Sequence, residues 1–158
     1  MVNIATMNQI APILPATNVV IGLDASSKKR AFEQAGLLFE NHHGLARAVV
    51  YDALFDREKL GSTGLGQGIA IPHGRIKGIK DALGAFIRLA TPVPFDAPDG
   101  QPVDMLFVLL VPISANERHL QLLSELAQMF SDKAFRDGLA SAADAASIHA
   151  LFQQWHAG

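Results

Sequence analysis

His73 occupies the setting in this sequence that best suits a nucleophile. It follows a short apolar run, Ile69–Ile71, and it is flanked by Pro72 and Gly74. A neutral imidazole near pH 7 has one unprotonated ring nitrogen that can attack phosphorus, while a hydrogen bond at the other nitrogen fixes the tautomer. A phosphoryl group attached in this way can be passed on again. The setting therefore predicts that His73 accepts a phosphoryl group.

A helix arginine, a glycine and a second histidine could complete such a site. Arg57 could neutralise phosphoryl charge, and Gly74 would let the backbone approach the oxygens, with successive turn N–H groups holding the anion. Phosphoryl transfer requires mostly positioning and charge stabilisation, so few groups are needed. On the residues alone, ordinary alternatives stay open. A histidine after a strand is often packed or on the surface, an exposed helix arginine is usually solvated, and His119 on an apolar helical stripe is by default a core residue.

Other common kinds of site lack their sequence patterns. The glycine-rich segment 61–68 is not followed by the Gly-Lys-Ser/Thr of a nucleotide-binding loop, and its glycines miss the third position of a dinucleotide fingerprint. The six histidines show no His-Glu-x-x-His or similar ligand spacing, and there is no Gly-x-Ser-x-Gly nucleophile turn. We therefore expect neither a metal ion nor a cofactor.

Two amphipathic helices are predicted before the glycine-rich segment. Asp24 is a candidate N-cap, after which apolar residues recur at helical spacing as far as the turn at His43–Gly44. A second helical pattern runs on toward Leu60 and places Arg57 near its C-terminal end. We expect much of the polar surface of this helix to come from four charged residues, Asp52, Asp56, Arg57 and Glu58.

A brief apolar strand should lead from Ile69 directly into a turn, with His73 at the exit of the strand. Two longer strand patterns follow, at 82–90 and 103–111, joined by a loop that contains the turn sequence Pro-Asp-Gly. They should pair as an antiparallel hairpin. Both alternating sets of residues in the second strand are apolar, which predicts helices on both faces of the sheet.

Three helical patterns complete the chain. Ser114 and Glu117 have capping-box spacing at the start of the first, whose apolar stripe includes His119. The others cover 132–139 and 143–155. Together the elements predict a three-layer α/β sandwich.

Composition limits the remaining possibilities. With 158 residues, 49% of them hydrophobic, the chain should form one domain over residues 1–158, of which 1–20 should be irregular. The formal charge is only −2 and the basic residues are scattered, so we expect no nucleic-acid partner. There is no cysteine, no secretory pattern at the N-terminus and no apolar run of membrane-spanning length. We therefore expect a cytoplasmic protein without direct membrane insertion.

The stretch from Arg57 to Arg75, REKLGSTGLGQGIAIPHGR, resembles the active-site segment of the mannitol/fructose/nitrogen-regulatory class of phosphotransferase-system enzyme IIA. The resemblance extends to segments 92–96, 101–112 and 119–124 and covers most of the chain from about residue 24. It implies an α/β sandwich around a mixed sheet. It also implies that His73 is the phosphorylated residue, Arg57 the phosphoryl-stabilising arginine and His119 the second active-site histidine. We expect Gly74 and Arg75 to contact the phosphate.

The same resemblance indicates the partners. The donor would be the phosphohistidine of a small HPr-like phosphocarrier protein, supplied from phosphoenolpyruvate by an enzyme I. The segment Ser26–Ala31 resembles the stand-alone nitrogen-regulatory branch, whose members control partners by their phosphorylation state, so regulated transporters or sensor kinases are expected. Two alternatives stay open: a IIA component of a fructose- or mannitol-type sugar uptake system, and a regulatory module that only binds.

Overall fold

The computed structural model describes residues 8–157. Its elements follow in chain order as β1 (Val19–Leu23), α1 (Lys28–His43), α2 (Arg47–Glu58), β2 (Gly64–Gly66), β3 (Ile69–Ala70), β4 (His73–Ile76), β5 (Leu83–Val93), β6 (Val103–Pro112), α3 (Glu117–Ser131), α4 (Lys133–Ser141) and α5 (Ala145–Gln154). None of the helices in this range has the length and apolar character that a membrane crossing requires.

The N-terminal part is more ordered than we predicted. Two 3₁₀ turns, Ala11–Ile13 and Ala16–Asn18, lead into β1, so the segment expected to be irregular through residue 20 already forms a strand from Val19. Val19 pairs with Phe86 of β5, and this pairing makes an extended conformation favourable there. Residues 1–7 of the predicted irregular segment lie outside the described residues.

The strands form one mixed sheet. Its order is β1-β5-β6-β3-β2, and β4 pairs with β6 as well. The antiparallel pairing of β5 with β6 confirms the predicted hairpin. In contrast, β1 runs parallel to β5, and β3 and β4 follow one another along the same side of β6, both parallel to it. Any site on β4 is therefore supported by the most buried strand.

Strand β6 separates two hydrophobic cores. One face, with Leu106, Val108 and Leu110, packs against α1 and α2. The other, with Met105, Phe107 and Leu109, packs against α3, α4 and α5. Because successive side chains point to opposite faces of a strand, a strand that is apolar on both faces needs a layer of helices on each side. The structure confirms the predicted three-layer sandwich with a mixed sheet between helices.

Helix α1 begins later than predicted. Its N-cap is Ser27, whose hydroxyl accepts a hydrogen bond from the backbone N–H of Arg30, and not Asp24. Both residue types cap helices well, and the one whose side chain reaches a free amide determines the start. The helix ends at Gly44, as predicted, where φ is 68° in the left-handed region that favours glycine.

Helix α2 ends at Glu58, so Leu60, which the pattern included, lies beyond it. The next segment also differs from the prediction. A single strand leading into a turn was expected, but β3 covers only Ile69–Ala70, and after Ile71–Pro72 the chain resumes pairing as β4. His73 is therefore the first residue of a strand and does not stand at the exit of one.

Helices α1 and α2 approach each other closely at Gly36. A Cβ atom added there would lie 2.8 Å from the carbonyl oxygen of Arg47, the first residue of α2. The close approach holds α2, the helix that carries Arg57, against the rest of the domain. The packing thus overrides the low helix propensity of glycine.

We expect Gly36→Ala to destabilise the protein by about 1–3 kcal/mol, although alanine at a helix interior normally stabilises by about 1 kcal/mol. Gly138→Ala is the matched control. Its added Cβ would lie 3.3 Å from the flexible end of Leu151, and we expect it to be neutral or stabilising. Urea unfolding of both variants checks the pair. Equal stability of the two would contradict the close-packing account.

Candidate active site

All five residues singled out from the sequence line one cleft. Its volume is about 710 Å³. The cleft is formed by the C-terminal part of α2, by strands β4 and β6, and by the start of α3. Its lining residues are Ala53, Asp56, Arg57, Leu60, His73, Gly74, Arg75, Leu109, Val111, Ala115, Asn116, Glu117, His119, Leu120 and Leu123.

The backbone orients the half-buried His73 ring. Its Nδ1 lies 2.9 Å from the carbonyl oxygen of Ile71, and because a carbonyl only accepts, Nδ1 carries the proton and donates. The neutral ring then has its lone pair on Nε2. Strand pairing fixes the backbone here, since the carbonyl of Pro72 accepts from the N–H of Leu109 at 2.9 Å.

The surroundings of His73 favour its neutral form. Burial lowers the pKa of His73, and the positive charge of Arg57 lowers it further. The hydrogen bond to Ile71 and the negative charge of Glu58 raise the pKa, but by less. Because the pKa of His73 is lowered from the ordinary value of about 6.5, a larger fraction of its rings is neutral at a given pH, and the neutral ring is the nucleophilic form.

Gly74 has a packing role that its position did not suggest. It lies in β4 opposite Leu110 and not in a turn, so the expected run of turn N–H groups does not form. A Cβ atom on Gly74 would come within 2.8 Å of the backbone carbon and oxygen of Ala53 in α2. The missing side chain therefore allows a helix to approach, and this is the local reason for glycine.

Helix α2 brings Arg57 to the cleft. Ala53 and Arg57 line it at a spacing of four residues, which places side chains on one helix face, and Leu60 lines it from the turn after the helix. The Arg57 Nη1 donates to the carbonyl oxygen of Gly61 at 2.8 Å. One guanidinium nitrogen is thereby anchored to the turn after α2, and other donors of this five-donor group are left for a ligand.

His119 stands in the first turn of α3 and caps it. Asn116 is the N-cap, with Oδ1 accepting from the N–H of Arg118 at 3.0 Å, so the predicted capping pair Ser114 and Glu117 is wrong. In return, the backbone N–H of Asn116 donates to His119 Nδ1 at 3.1 Å. A backbone N–H can only donate, so Nδ1 of His119 is the acceptor and the neutral ring carries its proton on Nε2.

Arg75 also lines the cleft. Its exposed side chain donates from Nη1 to the carbonyl oxygen of Ile113, in the loop before α3, at 3.2 Å. The contact links β4 to this loop.

Two leucines also line the cleft with much of their surface in water: Leu60 is 83% exposed and Leu120 is 65% exposed. Exposed apolar side chains therefore border the cleft beside the charged ones.

The prediction for Glu58 was wrong. It was assigned to the polar surface of α2, but it is buried and bonded to Thr63. Asn116 was missed as well, although asparagine is a favoured N-cap and its spacing to His119 is that of a capping box. Among residues 8–157 no group of three or more His, Asp or Glu side chains is arranged to hold a metal ion.

Comparison with known proteins agrees with this architecture. The family described as phosphoenolpyruvate-dependent sugar phosphotransferase system, EIIA 2, matches residues 12–155. A nitrogen regulatory protein of Pseudomonas aeruginosa is 42% identical over 146 residues, which are 92% of this chain and 95% of that protein. The crystal structure of nitrogen regulatory protein IIA-Ntr from Neisseria meningitidis has a TM-score of 0.86 at 52% identity, covering 92% of this chain and 99% of that one. The crystal structure of IIA mannitol from Escherichia coli has a TM-score of 0.73 at 25% identity, covering 87% and 97%.

The hydrogen bond and burial of His73 can be tested by NMR of its ring nitrogens. We expect the proton of the neutral ring on Nδ1 and a titration midpoint below about 6.5. At pH 6.5 more than half of the rings should then be neutral. A midpoint at or above the ordinary value, or a proton on Nε2, would contradict the geometry.

Proposed function

The chain belongs to the EIIA 2 family of the phosphoenolpyruvate-dependent sugar phosphotransferase system, and from that premise we propose that His73 accepts a phosphoryl group from the phosphohistidine of an HPr-like phosphocarrier protein. The observation that carries the proposal is the hydrogen bond between His73 Nδ1 and the carbonyl of Ile71, because it leaves the lone pair on Nε2. In this proposal Nε2 is the attacking atom. Burial supports it by keeping the ring neutral.

The transfer is a displacement at phosphorus. A bond forms between His73 Nε2 and phosphorus as the donor's N–P bond breaks, and the donor nitrogen keeps the electron pair of that bond. His73 Nδ1 keeps its proton, and the carbonyl of Ile71 accepts that hydrogen bond while positive charge develops on the ring. Such a transfer depends on positioning and on stabilising the charge of the moving group.

Two neighbouring side chains supply that stabilisation. Arg57 offers positive charge and free N–H donors to the phosphoryl oxygens. His119, whose Nδ1 is occupied as an acceptor, offers the N–H of Nε2 as a further donor. Arg75 adds positive charge at the border of the cleft and, with the backbone near Gly74, contributes to phosphate binding.

The surface around the cleft supports a protein as the donor. Leu60 and Leu120 present exposed apolar side chains next to the histidines. Transient relay complexes have small interfaces, below roughly 1,200 Å² in total, which lets the partners separate after transfer. A contact made of a few leucines around a charged centre belongs to that class.

We further propose that the phosphorylation state regulates partners such as transporters or sensor kinases. The similarity to nitrogen regulatory proteins, 42% and 52% identical over 92% of the chain, supports this over a role in sugar uptake, since IIA mannitol is 25% identical and a fructose-specific EIIA component of Haloferax volcanii, 40% identical, matches only 61% of the chain. Phosphorylation adds up to about two negative charges to the docking surface, so affinity for a partner can differ between the two states.

Incubation with phosphoenolpyruvate, enzyme I and the phosphocarrier should attach one acid-labile phosphate to the protein, at Nε2 of His73. His73→Ala should abolish the label, and His119→Ala should reduce it. Mass mapping under alkaline conditions and ³¹P NMR identify the site. A label that persists in His73→Ala would reject the assignment.

Arg57→Ala should slow phosphorylation by about 100-fold, and Arg57→Lys should restore only part of the rate, because an ammonium lacks the planar pair of donors. Arg30→Ala is the control, since Arg30 is an exposed arginine of α1 that does not line the cleft. Rapid-quench transfer from the phosphocarrier measures all three rates. An unchanged rate in Arg57→Ala would remove Arg57 from the mechanism.

The regulatory proposal and the sugar-uptake alternative differ in where the phosphoryl group goes. If the protein is regulatory, labelled protein should keep its phosphate in the presence of IIB domains, while partner affinity should change with phosphorylation. Rapid discharge onto a IIB domain would favour the uptake role. Equal affinity in both states would favour a module that only binds.

A further inference from the structure

The last residue of α2, Glu58, carries a buried carboxylate. Only 4% of its side chain is exposed. Its Oε1 accepts a hydrogen bond from the Thr63 hydroxyl at 2.6 Å, and its Oε2 accepts from the Thr63 backbone N–H at 3.0 Å. These two bonds close the turn that follows α2. A buried acid with so complete a set of partners is costly to desolvate and is retained for a structural or electrostatic reason.

Lys28 of α1 compensates the charge of this carboxylate. Its Nζ lies 2.9 Å from Glu58 Oε2, and its side chain is 18% exposed. The same ammonium stands 4.5 Å from the ring centre of Phe95 and 3.9 Å from the exposed carboxylate of Asp96. Glu58 thus joins α1, α2 and the turn after α2 in one polar network inside the domain.

The turn closed by Glu58 holds the guanidinium of Arg57. Arg57 donates to the carbonyl oxygen of Gly61, which lies between Glu58 and Thr63 in the chain. The backbone N–H of Gly61 also donates to the carbonyl oxygen of Glu58 at 3.1 Å. Gly61 has φ of 150°, a conformation that favours glycine and directs its peptide groups in this turn. Displacing the turn would move the acceptor that anchors Arg57.

We propose that Glu58 is a positioning residue of the phosphoryl-transfer site, which acts through the turn at residues 58–63 to hold the Arg57 guanidinium at the cleft. The inference rests on the proposed function, in which Arg57 stabilises the moving phosphoryl group. Glu58 itself does not line the cleft. Its effect on transfer is therefore indirect and passes through Arg57.

Glu58 also acts on the nucleophile by its charge. Its carboxylate raises the pKa of His73 and so opposes burial and Arg57, which lower it. The other charged or titratable side chains that line the cleft are Asp56, Arg75, Glu117 and His119. Replacing Glu58 by the isosteric glutamine removes the negative charge and leaves the burial of His73 in place. Local unfolding would instead expose His73 and move its pKa upward, toward the ordinary value.

The first test is therefore the direction in which the His73 titration midpoint moves in Glu58→Gln. We expect a lower midpoint than in the unchanged protein, measured by NMR. A higher midpoint would mean that the variant has only lost structure, and an unchanged one would mean that the charge does not reach His73. Either result would overturn the electrostatic part. This measurement needs no phosphorylation, so it stands even if the proposed function fails.

The second test is a double-mutant cycle on the phosphorylation rate. Glu58→Gln should slow transfer by about 10-fold, but should have little further effect in an Arg57→Ala background, because residues that act as one unit are not additive. Equal slowing in both backgrounds would show that Glu58 does not act through Arg57. If the unchanged protein is not phosphorylated at all, the proposed function fails and the positioning role fails with it, while the titration still decides whether the charge of Glu58 reaches His73.

A milder pair of variants guards against loss of folding. Thr63→Val removes only the hydroxyl donor and keeps the shape and the backbone N–H, so transfer should slow by less than in Glu58→Gln. Thr63→Ser keeps the hydroxyl and should transfer at the unchanged rate. Thermal unfolding of each variant accompanies the rates. Slowing by Thr63→Ser equal to that by Thr63→Val would contradict the role of the carboxylate-bound hydroxyl.

Discussion

The close contact between α2 and β4 at Gly74 is the constraint on which the geometry of the cleft depends. With a Cβ only 2.8 Å from the backbone of Ala53, no other residue would let the helix come so near the strand. Arg57 lies one turn beyond Ala53 on the same face, so this contact brings the arginine to the cleft. The contact between α2 and β4 at Gly74 thus brings the Arg57 guanidinium and the His73 imidazole to the same cleft.

Backbone groups then give the two histidines complementary roles. The carbonyl of Ile71 accepts from His73 Nδ1, and the N–H of Asn116 donates to His119 Nδ1. In the neutral rings, one Nε2 therefore has a lone pair and the other has a hydrogen. Each arrangement is local, made within three residues of the histidine. It needs no charged partner, and the tautomers do not depend on the state of nearby acids.

The sequence predicted most of this fold because its strongest signals are periodic. The apolar residues on both faces of β6 require helices on both sides, and the hairpin with β5 follows from the turn between them. Boundaries were less predictable. Asp24 and Ser27 are both good caps, and only the folded backbone decides which side chain meets a free amide.

The same limit applies to the site. The resemblance identified His73, Arg57 and His119, and the structure brings them into one cleft. The sequence could not indicate that Glu58 is buried, because a glutamate in a helix is ordinarily solvated. The burial depends on Lys28, thirty residues earlier in the chain, and on the fold of the turn to Thr63. Long-range pairing of this kind leaves no periodic signal in a sequence.

The charges around the cleft explain how one surface could both accept a phosphoryl group and report its presence. Burial favours the neutral form of His73, so in the free state the exposed side chains of Leu60 and Leu120 border a cleft whose histidine favours its uncharged form. A phosphoryl group would place up to about two negative charges in that cleft. Arg57 and Arg75, which both line the cleft, would neutralise part of this charge. A partner that packs against the leucines would therefore meet a different electrostatic surface in each state, while its apolar contacts stay the same.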